Sequence, residues 1–183
     1  EIKAVAVKLD DVASLITKGR NKRIPKLQKE LKYLLTELGM PNAQFLIEVK
    51  PTEVYTVNGK DELVFLFSAN KGGNFGELKK VASGGELSRI MLSIKKILSS
   101  NIQLPTIIFD EIDTGVSGEV SNKIAKIMND MGENMQVITI THLPQIASQG
   151  QQHYKVFKGE EKGVTTSNLK RLNFDERVAE IAE

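Results

Sequence analysis

Val81-Ala82-Ser83-Gly84-Gly85-Glu86-Leu87-Ser88-Arg89 reads as a glycine-rich loop that opens straight into a helix. A helix start presents backbone N–H groups that have no intrahelical acceptor, together with the positive end of the helix dipole. Two glycines let that backbone approach an oxyanion closely, so the stretch has the design of an anion site. From Leu87 the apolar residues Leu87, Ile90, Met91, Ile94, Ile97 and Leu98 recur at helical spacing and define a core face. A plainer reading uses the same letters: Ser83 as N-cap with Glu86 three residues on is a capping box, which needs no ligand. The strands downstream weigh between the two.

Leu104 to Phe109 is a short apolar run rich in β-branched residues, and it ends abruptly in Asp110-Glu111. It predicts a buried parallel strand with acids at its carboxyl end, where open α/β sheets place their ligands. Side chains of neighbouring strand residues point to opposite faces, so one carboxylate can serve a Mg²⁺ shell while the other orients a water. A turn and a helix lead to a second such run, Gln136 to Thr141, which ends in His142. Singly, an Asp-Glu pair is a solvated strand end and a strand-end histidine is a structural one. In this order, after a glycine-rich helix start, they describe a phosphate site.

These residues also carry a family resemblance. Ala82-Ser83-Gly84-Gly85-Glu86 resembles the signature motif of ABC-type ATPases, Thr106 to Glu111 their Walker B strand, Asp113 to Gly118 their D-loop, and Thr141-His142 their switch histidine. The longer strings Ser68 to Gly72, Lys80 to Leu92, Phe109 to Gly118 and Thr141 to Ala147 are similar to the C-terminal part of the bacterial RecN family of DNA-repair ATPases, relatives of SMC and Rad50. The resemblance spans roughly residues 41 to 158 with its motifs in order. It implies an α/β fold: the C-terminal lobe of an ABC-type head with a mostly parallel sheet, antiparallel edge strands and an N-terminal coiled-coil stub. The division it implies is residues 1–40 as the end of the arm and entry helix, and 41–183 as the lobe.

The resemblance further implies ATP and Mg²⁺ as cofactors and hydrolysis at the interface of two heads, which ATP joins and hydrolysis releases. Asp110 then helps hold Mg²⁺, Glu111 positions or deprotonates the attacking water, and His142 contacts the γ-phosphate. The signature residues Ser83, Gly84, Gly85 and Glu86 grip the nucleotide of the opposite head, while Asp113 runs along the interface. DNA ends, single- or double-stranded, a second copy of the head and a recombinase are the implied partners, in a bacterial cytoplasm at the nucleoid. Double-strand break repair and recombination are the implied processes. Readings from other classes are a DNA-bridging or protein-interaction module and, less favoured, a transporter ATPase fragment.

No Gly-x-x-x-x-Gly-Lys-Ser/Thr occurs, since Gly59-Lys60 is followed by Asp61 and lacks the upstream glycine. The expectation is therefore half a nucleotide site, in a piece of a longer protein whose P-loop lobe lies elsewhere, inactive by itself. The first residue, Glu1, in place of a Met, fits that expectation.

Ahead of the lobe, Ile2, Val5, Leu9, Val12 and Ile16 are spaced 3, 4, 3, 4, and Ile24, Leu27, Leu31, Leu34 and Leu38 repeat the spacing. The eight-residue step from Ile16 to Ile24, with Gly19 and Pro25, predicts a helix break near Gly19 to Arg23 and Pro25 in the first turn of a second helix. From Met40 the period changes to two: alternation at Phe45, Ile47 and Val49, then Val54 to Val57, Asn58-Gly59 and Glu62 to Ser68 predict antiparallel strands around a hairpin. Lys71 to Gly76 reads as a flexible loop leading to the signature helix, Tyr154 to Leu172 as an edge hairpin, and Asp175 to Ala182 as a closing helix.

Composition bounds the function. The 183 residues are 40% hydrophobic, enough for one core, and no run is long and apolar enough to span a bilayer. The chain has no cysteine, which removes disulfides and thiolate metal sites. Net charge is +2, but residues 1–40 hold nine Lys/Arg against five Asp/Glu. Lys18, Arg20, Lys22, Arg23, Lys26 and Lys29 form a basic stem, suited either to DNA phosphates or to keeping a helix soluble.

Overall fold

The computed structural model describes residues 2–102, 104–110, 112–116, 118–161 and 164–182, without the side chains of Lys79, Glu161 and Val164. Contacts divide the chain into two compact units, Glu1–Lys95 and Lys96–Glu183.

The first unit is built on one long helix, α1 (Ile2–Glu37), which runs through Pro25. The break predicted at Gly19 to Arg23 is absent. A proline inside a helix loses one backbone hydrogen bond and crowds the preceding turn, at a cost of about 3 kcal/mol. Packing on both sides of Pro25 offsets this, because the same hairpin holds the helix before and after it. That hairpin pairs β1 (Gln44–Thr56) with β2 (Gly59–Ser68), antiparallel from Gln44 opposite Ser68 to Pro51 opposite Asp61, with a register shift before Thr56 meets Gly59. The two predicted runs at Phe45 and Val54 are thus a single strand. Past Pro25, Leu31 and Leu35 are buried, as are Leu38, Ala43, Phe45, Ile47 and Phe67. Each large side chain contributes about 1.5–3 kcal/mol by leaving water.

Before Pro25 the attachment is polar. Asp61, buried, accepts from Thr17 Oγ1 at 2.7 Å and Arg20 Nη1 at 3.1 Å, while Arg20 Nη2 donates to the Asn58 carbonyl at 2.6 Å. The hairpin tip lies hard against the helix here. Gly59 has φ +106°, which favours glycine, and a Cβ on it would also sit a tight 3.3 Å from Ile16 Cγ2. Further out, Tyr55 donates its hydroxyl proton to Asp10, which holds that carboxyl below the usual aspartate range, and Lys60 Nζ stands 4.6 Å from the Tyr55 ring centre.

The expected loop spans Lys71 to Phe75, and regular structure resumes at Gly76. A short strand β3 (Gly76–Glu77) pairs with β2, and α2 (Leu78–Val81) precedes the signature helix α3 (Gly84–Ser99). The chain folds back tightly enough that a Cβ on Gly76 would lie 2.5 Å from Val81 Cγ1. Gly84 and Gly85 are accordingly the first residues of α3 itself, and the linker before it is only Ala82-Ser83.

The second unit contains the predicted β-α-β order. β4 (Thr106–Asp110) pairs in parallel with β5 (Gln136–Ile140), Thr106 opposite Gln136 and Asp110 opposite Ile140. Between them α4 (Gly118–Gly132) buries Ile124, Ala125, Ile127, Met128 and Met131 and packs on β5. The expectation of a buried strand holds for only one face. Ile107, Phe109, Val137 and Thr139 are covered, whereas Ile108 (63% exposed), Ile138 and Ile140 are open to solvent. Parallel strands are normally covered on both faces, and here the apolar residues of the second face are exposed. Parallel pairing among the described residues is confined to this pair; the remaining strands are antiparallel.

β5 is followed by a one-turn helix α5 (Pro144–Ala147), then the predicted hairpin of β6 (Tyr154–Glu161) and β7 (Val164–Arg171), then α6 (Phe174–Ala182). Asn173 and Glu176 form a reciprocal cap at 3.0 Å each way. Arg177 on α6 donates to the carbonyls of Ser148, at 2.6 Å, and Gly150, tying the final helix to the end of α5. No helix among the described residues is long and apolar enough to cross a membrane.

Candidate functional site

Two groups of candidate residues have defined surroundings, one in each unit. In the first unit the capping box forms. Ser83 donates from both its backbone N–H and its hydroxyl to Glu86 Oε2, each at 2.8 Å, and the Glu86 N–H points back to Ser83 Oγ at 3.4 Å. Glu86 therefore stabilises the helix start. Ser83 and Gly84 remain exposed, and the space where a Cβ of Gly84 would stand is open. The Gly84 and Gly85 amides lie in the first turn of α3, where no intrahelical carbonyl reaches them. A cap with open first-turn amides is chemically an anion acceptor in waiting. Arg89, one turn along, has a buried Nε without a partner; its place after the motif gave no signal beyond its charge.

In the second unit the carboxyl ends of β4 and β5 gather three predicted residues. Asp110 is exposed, with no hydrogen bond or ion pair to a described residue. His142 follows β5 by two residues; its side chain is 75% exposed, and its Nδ1 lies 3.4 Å from Asp113 Oδ2. Asp113 is buried, and the same Oδ2 accepts from Thr141 Oγ1 at 2.5 Å and from the His142 backbone N–H at 3.2 Å. Thr141 Oγ1 in turn accepts from the Leu143 N–H at 3.0 Å. One carboxylate thereby pins the turn after β4 to the end of β5 through the Thr141 hydroxyl and the His142 backbone N–H, with the exposed His142 ring beside it.

The structure thus makes Asp113 a buried organiser whose carboxylate faces Thr141 and His142. Thr141 was not among the predicted site residues, although its place at the strand end beside His142 was visible. Asp113 Oδ1, Thr139 Oγ1 and Gln145 Oε1 are buried without partners. Glu111 lies outside the described residues. Among the described residues no group of three or more His, Asp or Glu side chains is arranged to hold a metal. The unengaged Asp110 fits the lesser role of one carboxylate for a hard cation that keeps its other ligands from water and phosphate.

No established family profile matches the chain. It is 42% identical over 156 residues to the DNA repair protein RecN of Rickettsia typhi, covering 85% of this chain and 28% of that protein. Against the DNA repair protein RecN of Deinococcus radiodurans the identity is 35% over 182 residues, 100% of this chain and 32% of that one. The chain spans about a third of the length of the curated relatives it matches. Among solved structures, the Smc head domain with a coiled coil and joint from Pyrococcus yayanosii superposes with a TM-score of 0.69 at 15% identity, over 98% of this chain and 33% of that one.

Proposed function

From a chain that is a RecN-related segment with the fold of an SMC-type head, we propose that it is the signature-and-switch half of a DNA-repair ATPase. In the full-length protein a separate P-loop lobe completes the site, and two heads share the nucleotides between them. The observation that supports this best is the tie of Asp113 to Thr141 and His142, with Asp110 unengaged at the neighbouring strand end.

The reading assigns each group a role. His142, whose backbone N–H is held by Asp113 at the end of β5, presents its exposed ring to a γ-phosphate oxygen. Asp110 holds one side of a Mg²⁺ ion, which when bound supplies charge to the transferring phosphoryl group. Glu111, next in the chain, is the candidate to orient or deprotonate the attacking water. The Ser83 hydroxyl and the Gly84 and Gly85 amides act on the nucleotide of a second head, so Ser83 exchanges Glu86 for phosphate as acceptor when the heads meet. Asp113 works through Thr141 and His142 as a positioning residue at that interface.

The test uses full-length protein and measures ATP hydrolysis with and without single- and double-stranded DNA, comparing wild type with Glu111→Gln. Turnover is expected to fall by about 100-fold or more while ATP binding persists, as for loss of a general base. Hydrolysis that persists in the variant refutes the assignment of Glu111. A DNA-insensitive rate leaves the ATPase standing and removes the DNA role.

A further inference from the structure

Between Val12 and Lys29 the chain carries six cations and not one carboxylate. The fold sorts these cations. Arg20 turns onto Asp61 and the Asn58 carbonyl and is structural. Lys18, Lys22, Lys26 and Lys29 follow one another at i, i+4, i+8 and i+11, which places them in a row along one side of α1. All four are exposed, and none bonds to a described residue. One turn beyond Lys29 the row ends in Tyr33, 65% exposed.

The helical period locates this row against the rest of α1. At about 100° per residue it lies roughly opposite the side that carries Ala13, Thr17, Arg20 and Leu31 to the hairpin. It is also about a third of a turn from the exposed apolar seam of Ile2, Val5, Leu9 and Val12. Neither the hairpin nor a second helix seated on that seam covers it. Over Val12 to Lys29 this face carries no acid, Glu30 one turn past Lys26 being the first, and it lies off both apolar contacts, whereas a soluble surface ordinarily mixes both signs.

We infer that this row is a track for the phosphate backbone of duplex DNA. From Lys18 to Lys29 it is about 16 Å long, a distance over which one DNA strand presents about five phosphates. Four flexible ammonium groups spaced by about one turn match that charge density without reading sequence. The choice of DNA as ligand rests on the repair reading above; the row itself does not.

The experiment titrates full-length protein, without nucleotide, onto a 30-base-pair duplex across a range of salt concentrations. Lys18→Gln/Lys22→Gln/Lys26→Gln/Lys29→Gln keeps good helix formers and removes four charges. Lys126→Gln/Lys158→Gln is the control for charge lost elsewhere. The quadruple variant is expected to lose about 3 to 4 from the slope of log affinity against log salt, and to bind about tenfold weaker or worse at moderate salt, while the control changes little. An unchanged slope, an equal loss in the control, or no affinity of wild type for the duplex overturns the track. DNA-free turnover separates the two readings: it stays at wild-type level in the quadruple variant, and its persistence in Glu111→Gln would sink the catalytic assignment alone. Loss of the slope on an acidic peptide but not on DNA would reassign the row to a protein partner and overturn the DNA track.

Discussion

Ser83 and Glu86 bind each other across three residues at the surface, whereas Asp113 gathers Thr141 and His142 from 28 and 29 residues away in a buried position. The first arrangement is local and exposed, so it rearranges at little cost when another acceptor arrives. The second is non-local and shielded from water, so its geometry is settled on folding and is ready before substrate binds. A composite site needs both kinds of part: one that adapts to a ligand delivered from outside, and one that already points the right way.

Substitutions in the two regions should therefore separate. The largest effect is expected from Asp113→Ala, which leaves the Thr141 hydroxyl and the His142 N–H without their shared acceptor. Removing a buried charged acceptor costs about 3 kcal/mol, to be read from chemical unfolding, with hydrogen exchange rising at His142 and Leu143. Turnover should fall with it, and a wild-type rate in a folded Asp113→Ala protein would break the contrast. Thr141→Val keeps the shape and removes one bridging hydroxyl; a loss of about 1 kcal/mol is expected by the same measurement, with His142 still in place. Ser83→Ala should be the mildest for stability, about 0.5–1 kcal/mol for a lost cap, yet it removes a proposed phosphate ligand. A drop in turnover out of proportion to that small loss of stability sharpens the comparison. A drop no larger than the stability change reduces Ser83 to a cap.

The same contrast explains what was legible in the sequence. Alternation at Phe45, Ile47 and Val49 gave the start of β1, and short apolar runs rich in β-branched or aromatic residues gave β2, β4 and β5, because a strand's character is written residue by residue. Ser83 with Glu86 was legible as a capping box for the same local reason. The bond between Asp113 and Thr141 was not, since no pattern within a window of residues states which distant groups will meet. Gly19 and Pro25 read as a break when propensity is weighed without the hairpin that holds α1 on either side of them. Gly72 and Gly73 rightly marked a loop, whereas Gly76 at its end enters β3 and permits the close return onto Val81. The apolar letters of Ile108 and Ile140 suggested burial, but burial also needs a neighbouring layer.

The unbroken α1 has a mechanical consequence. Asp10 and Lys32 are both attached to the hairpin and its entry turn, Asp10 through the Tyr55 hydroxyl and Lys32 through the carbonyls of Pro41 and Ala43. These two fixings stand about 33 Å apart along the axis, and the overhang from Ile2 to Asp10 is about 12 Å. With the outer fixing as pivot, a shift of about 1 Å at the inner one arrives at the far end as a shift of about 0.4 Å. Motion at the entry turn would thus be carried into the arm at about a third of its size, damped rather than amplified.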